Sequence, residues 1–128
     1  MMQTNLPAVC AFLLIAASLA WADDPTAPHK YDPASVERGK QNFGSTCGFC
    51  HGASGKGGEK GPDLLRSVLV LDDEGGKSIG PVILKGRPER GMPRFPLTPE
   101  QITDIANFLH NSIAVSYTHL TLPTNREV

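Results

Sequence analysis

The sequence predicts a small, all-α, loop-rich domain. Two segments carry complete helix-start signals, at Asp32-Pro33 and at Thr98-Pro99. No stretch alternates apolar and polar residues with period two, so no sheet is expected. The 13 glycines and 11 prolines among 128 residues supply long irregular connections between the helices.

The chain opens on a segment that stands outside this fold. Leu6 to Ala22 is apolar apart from Ser18, and no charged residue precedes Asp23. The run closes on Ala20-Trp21-Ala22, a small-x-small pattern followed by Asp23-Asp24. Residues 1–22 therefore read as a secretory signal peptide. A retained anchor is the alternative, but the run is just short of a bilayer span, and no stable membrane span is expected after processing. Cys10 lies early in the apolar run and leaves with it, so the mature chain keeps two cysteines, Cys47 and Cys50.

Residues 23–32 (DDPTAPHKYD) read as a linker. Asp32 then caps a helix that takes Pro33 at its first position, exposes Val36 and Phe43 on one face and ends near Gly44. Gly39 sits between them and costs about 1 kcal/mol against alanine in a helix, which is useful where another helix must come close. Residues 51–66 are glycine-rich and irregular. A short helix is expected from about Gly76 to Lys85, and residues 86–97 (GRPERGMPRFPL) are too dense in Gly and Pro to be regular. In the last helix Thr98 is the N-cap, Pro99 the first residue and Gln101 the closing member of a capping box. Ile102, Ile105, Ala106 and Leu109 form its apolar stripe, widened by Phe108.

The net charge of -1 offers no bulk attraction for nucleic acid or an anionic membrane surface. Aromatic residues are only 6% of the chain, so a core this small needs something large and apolar to fill it.

The stretch CGFCH, Cys47 to His51, has three chemical readings. A thioredoxin-like dithiol would follow a strand and open a helix within a βαβ pattern, and that context is missing. Structural zinc needs four ligands, and His29, His51, His110 and His119 form no pair at short spacing. Covalent haem fits: two thiols three apart reach the two vinyl groups of one porphyrin, and the next residue, His51, lies beneath the iron as an axial ligand. Haem attachment outside the cytoplasm in bacteria matches the export signal. Met92, the sole methionine beyond the signal, lies in the proline-bounded GMPRF loop and is the expected distal ligand, with His110 the runner-up.

Cys47-x-x-Cys50-His51, Gly61-Pro62-Asp63-Leu64, Gly91-Met92-Pro93-x-Phe95 and a helix ending in IANFL together resemble a class I c-type cytochrome over about residues 33–113. The resemblance implies N- and C-terminal helices crossed around one covalently bound haem, with Gly39, Phe43 and Phe108 at the crossing. It implies that the Pro62 carbonyl orients His51. Cofactor-binding residues are then Cys47, Cys50, His51, Pro62, Leu64 and Met92, with His51 and Met92 on the metal. Leu64, Leu65, Val68, Ile83, Leu97, Ile105 and Leu109 are expected around the haem.

A six-coordinate site leaves little room for substrate, so the expected function is electron transfer by one haem c per chain and not catalysis. The expected partners are redox proteins, a dehydrogenase or a terminal oxidase. The alternative is a haem c module or subunit of a larger periplasmic oxidoreductase of the alcohol or sugar dehydrogenase type. A haem sensor or small peroxidase would need an open sixth position. Lys85, Arg87, Arg90 and Arg94, opposed by Glu89 alone, form a basic cluster that reads first as a solvated loop and, more sharply, as a docking rim for an acidic redox partner.

The haem domain is expected to span residues 33–114. Residues 115–128 (VSYTHLTLPTNREV) lose the helical stripe and resemble a tail that recurs on unrelated sequences through read-through of sequencing-adapter DNA. They are read as a disordered or foreign tail; if the tail is foreign, the natural chain continues beyond about Ala114.

Overall fold

The computed structural model describes residues 31–120, with side chains through Thr118. The signal over residues 1–22, most of the linker and the last eight residues lie outside the described range. Within it the order is α1 (Pro33–Thr46), α2 (Gly48–His51), α3 (Val68–Leu71), α4 (Ile79–Lys85), a 3-10 turn (Pro88–Arg90) and α5 (Pro99–Leu120). Among the described residues there is no strand, only an isolated antiparallel bridge between Arg87 and Met92. No described helix is long and apolar enough to cross a membrane.

Both long helices begin as their sequences dictate. The Ser35 N–H donates to Asp32 Oδ2 at 2.9 Å. At α5 the bonding is reciprocal: the Gln101 N–H donates to Thr98 Oγ1 at 3.2 Å, and the Thr98 N–H donates to Gln101 Oε1 at 2.9 Å. Two of the donors that a helix start leaves orphaned are thereby satisfied.

The main packing contact in the molecule is α1 against α5. Phe43 and Phe108 meet with ring centroids 5.3 Å apart, and Ile105, Ala106 and Leu109 are buried beside them. Gly39 permits this approach, because a Cβ there would overlap the Asp104 carbonyl and lie 2.9 Å from Phe108 Cβ. Asp104 binds Arg38 through two bonds, Nε to Oδ2 at 2.8 Å and Nη2 to Oδ1 at 2.9 Å. Ser35 Oγ donates to the same carboxylate at 2.5 Å, and Asn107 Nδ2 donates to Ser35 Oγ at 2.8 Å. A buried carboxylate so fully bonded ties the two helices in one register.

Two predictions arise here. Gly39→Ala is expected to lower the melting temperature, because the gain of about 1 kcal/mol in helix propensity is outweighed by the overlap with backbone. Gly44→Ala, where an added Cβ meets nothing within 4 Å, is expected to be neutral to stabilising by up to about 1 kcal/mol. Thermal melts of the two variants check the sign of each change. The second prediction concerns acid. The Arg38 guanidinium, aided by the Ser35 hydroxyl and opposed by burial, holds the Asp104 carboxyl below its ordinary value. Its folded pKa is below its unfolded one, so its contribution is present above about pH 4 and lost as pH falls through the folded value. Asp104→Asn is expected to be less stable at pH 7 and to lose stability less steeply between about pH 4 and 2. Denaturant titrations across that range measure both.

Several boundaries differ from the sequence expectation. Helix α1 passes through Gly44 to Thr46, because an exposed glycine weakens a helix without ending one. Helix α4 begins at Ile79 and not near Gly76. The buried Asp73 carboxylate takes the N–H groups of Gly76, Ser78 and Ile79 at 2.7, 2.6 and 3.0 Å, so the residues before Ile79 form a turn around that side chain. Helix α5 does not stop near Ala114 but runs to Leu120. No Gly or Pro interrupts it before Pro123. The hydroxyls of Ser112, Ser116 and Thr118 donate to the Phe108, Ser112 and Ala114 carbonyls at 2.8, 2.8 and 2.9 Å. Ile113 is its last apolar residue against the core, and Val115 and Tyr117 are exposed.

Candidate functional site

The C-terminus of α1 turns directly into the CGFCH motif. The Cys47 N–H donates to the Phe43 carbonyl at 2.7 Å, and the Cys50 and His51 N–H groups both return to the Cys47 carbonyl, at 3.2 and 3.0 Å. The motif is therefore one helical turn, in which positions three apart share a face. Both sulfurs are free thiols on the wall of the same cavity. Burial, with a smaller contribution from Cys50, pushes the Cys47 thiol up to about 11.

His51 is oriented from outside the turn. Its Nδ1–H donates to the Pro62 carbonyl at 2.9 Å, which leaves Nε2 as the unprotonated nitrogen. Gly61 makes room for the ring: a Cβ there would lie 2.8 Å from His51 Nδ1 and 2.9 Å from the Cys50 carbonyl. The intervening loop is folded back by backbone bonds, Gly57 N–H to the His51 carbonyl at 2.9 Å and Leu64 N–H to the Gly55 carbonyl at 2.8 Å. That brings Leu64 to the cavity as well.

Met92 reaches the cavity from the other side of the chain. The Arg87 N–H donates to the Met92 carbonyl at 2.8 Å and the Met92 N–H to the Arg87 carbonyl at 3.1 Å, closing a tight loop. The Phe95 N–H donates to the Ile83 carbonyl at 2.9 Å, which fastens the following residues to α4. The six residues expected from sequence, Cys47, Cys50, His51, Pro62, Leu64 and Met92, all line one cavity of about 210 Å³.

The rest of that wall is mostly apolar: Phe43 from α1, Leu69 and Val70 from α3, Ile79, Val82 and Ile83 from α4, Phe95, and Ile105 and Leu109 from α5. Of the expected apolar shell, Leu64, Ile83, Ile105 and Leu109 are in place. Val68 is not, being 69% exposed. In the single turn of α3 its neighbours Leu69 and Val70 point inward instead. Leu65 and Leu97 pack on the core without lining this cavity. Ile79 and Val82 escaped the sequence reading although, with the expected Ile83, their spacing marks one helical face; the glycines and proline around them mask the signal. His110 is away from the cavity, beside Tyr31 at a ring distance of 5.9 Å and with Nε2 3.8 Å from Asp73 Oδ2.

Two thiols on one face of a turn, an imidazole fixed through Nδ1 and a thioether loop, arranged about an apolar cavity within an all-α fold, define a c-type cytochrome domain. Residues 34–109 match the family described as Cytochrome C oxidase, cbb3-type, subunit III, and the chain belongs to it. Comparison with curated proteins and with solved structures found no match. The protein is an electron-transfer haem protein whose cofactor is covalently bound haem c. Its partners are therefore redox proteins. Domains of this class are typically exported or periplasmic.

Proposed function

We propose that the chain is a one-electron carrier in which Cys47 and Cys50 hold the haem, His51 Nε2 is the proximal ligand and Met92 sulfur the distal one. The observation that carries this reading is the donor set itself: two soft thiols, one oriented imidazole and one thioether around a single apolar cavity. The haem supplies an iron that alternates between ferrous and ferric. The protein's contribution is to keep its donors still. The Pro62 carbonyl fixes the imidazole plane and makes Nε2 a stronger donor. The bridge between Arg87 and Met92 holds the thioether loop closed. Phe43, Ile79, Ile83, Ile105 and Leu109 exclude water, and with a thioether ligand this favours the ferrous state and raises the potential. Phe49, between the two cysteines, is 82% exposed, so the attachment turn presents an apolar side chain at the surface.

The working domain is residues 33–114, delivered outside the cytoplasm by the signal at 1–22. The family match supports a place in the electron supply of a terminal oxidase, as its subunit or its donor, over the sugar or alcohol dehydrogenase setting. The test is a visible spectrum of protein matured in a host competent for haem attachment, taken after denaturation and acid–organic extraction. Haem colour retained on the polypeptide is the expected result. Colour that extracts freely would overturn the reading.

A further inference from the structure

Three charged side chains line the cavity, Lys60, Arg87 and Arg90, and no carboxylate lines it. Among the described residues neither arginine belongs to an ion pair. Lys60 is engaged elsewhere, with its ammonium 4.9 Å from the centre of the Phe49 ring. The two arginines share a short rigid loop. The Arg90 N–H donates to the Arg87 carbonyl at 2.9 Å, and the Gly91 N–H donates to the Pro88 carbonyl at 3.0 Å. Arg87 precedes the 3-10 turn and Arg90 closes it, and both side chains line the same cavity. Lys85 and Arg94 flank the loop but do not line the cavity.

A haem brings two propionate carboxylates on one edge of its ring. Carboxylates at the mouth of an apolar cavity need cationic partners, and the guanidinium fork matches a carboxylate two bonds at a time. We infer that Arg87 and Arg90 receive the haem propionates, so that the basic loop is divided between cofactor binding and the outward-facing Lys85 and Arg94. This rests on the haem reading above. It also joins the two functions of the loop, since the bonds that close it on Met92 place both arginines.

The experiment uses the haem-loaded protein and measures the midpoint potential against pH. The ferric state carries one more positive charge than the ferrous, so loss of a cation paired with a propionate lowers the potential. The released carboxylate then takes up a proton within about pH 5 to 8, because its site is poor in water. Arg87→Gln and Arg90→Gln are expected to lower the potential at pH 8, with partial recovery toward pH 5. Lys85→Gln and Arg94→Gln are expected to move it far less and to reduce the salt-dependent rate of association with an acidic partner.

Potentials and pH profiles of the Arg87 and Arg90 variants that match the wild type, with normal covalent haem in the denatured spectrum, overturn this assignment and leave the haem reading standing. Absence of covalent haem from the wild type overturns both. Should the glutamine variants not mature, phenylglyoxal labelling of the wild-type holoprotein decides: Arg87 and Arg90 protected relative to Arg94 supports the assignment, and equal labelling of the three refutes it.

Discussion

Replacing both Cys47 and Cys50 by alanine is expected to abolish covalent haem and, with it, cooperative unfolding. An apolar cavity of about 210 Å³ left unfilled costs up to about 5 kcal/mol at roughly 24 cal/mol per Å³. The whole stability of a small domain is about 5–15 kcal/mol, so this loss alone takes from about a third of it to all of it. The damage is unequal along the chain. Helices α1 and α5 bury one another directly through Phe43, Phe108, Gly39 and the Arg38–Asp104 pair. Segments α3 and α4 and residues 86–97 instead contribute side chains that meet across the cavity. The apo-protein is expected to keep fluctuating helix in α1 and α5 and to lose protection of the rest. Circular dichroism should show a broad, shallow melt, and amide exchange should be fastest from Ser67 to Leu97. A sharp, native-like melt of the double variant would refute the dependence on haem.

That uneven outcome shows what could be read from sequence and what could not. The starts of α1 and α5 were legible because an N-cap is local chemistry: Asp32-Pro33 and Thr98-Pro99-x-Gln101 need no tertiary context. The gathering of CGFCH, GPDL and GMPRF was legible for another reason, since each is a short motif of scarce residue types. Their convergence on one cavity is a fact of the fold. The role of Asp73 was hidden, because a carboxylate in a polar stretch reads as solvated, and only the folded turn aims Gly76, Ser78 and Ile79 at it. The cavity face of α3 was hidden too. Four apolar residues in a row, VLVL, have no period from which to choose Leu69 and Val70 over Val68. The extension of α5 past Ala114 was missed because Val115, Thr118 and their neighbours have modest helix propensity. No Gly or Pro stops the helix before Pro123, and the Ser116 and Thr118 hydroxyls bond back to carbonyls of the preceding turn, a geometry that a continuing helix accommodates.

Met92→Ala is expected to leave the fold in place and remove the sulfur ligand. Both hydrogen bonds that join residue 92 to Arg87 use backbone atoms, so alanine can keep them. Phe95 remains fastened to Ile83, and the helices are untouched. The ferric protein should lose the weak red-region sulfur–iron band, and the midpoint potential should fall by more than about 59 mV, a tenfold shift for a one-electron couple. The direction follows from the chemistry: a thioether favours ferrous iron, and water or an incoming nitrogen ligand does so less. Helical signal and covalent haem should both match the wild type, which separates a ligand from a residue that merely fills space. Absence of the band from the wild type itself would mean that Met92 is not bound. His110 could not then take its place without leaving Tyr31 and Asp73, because it lies outside the cavity. The consequence would be an open sixth position, and the protein would bind small exogenous ligands such as carbon monoxide or cyanide as fast as the Met92→Ala variant does.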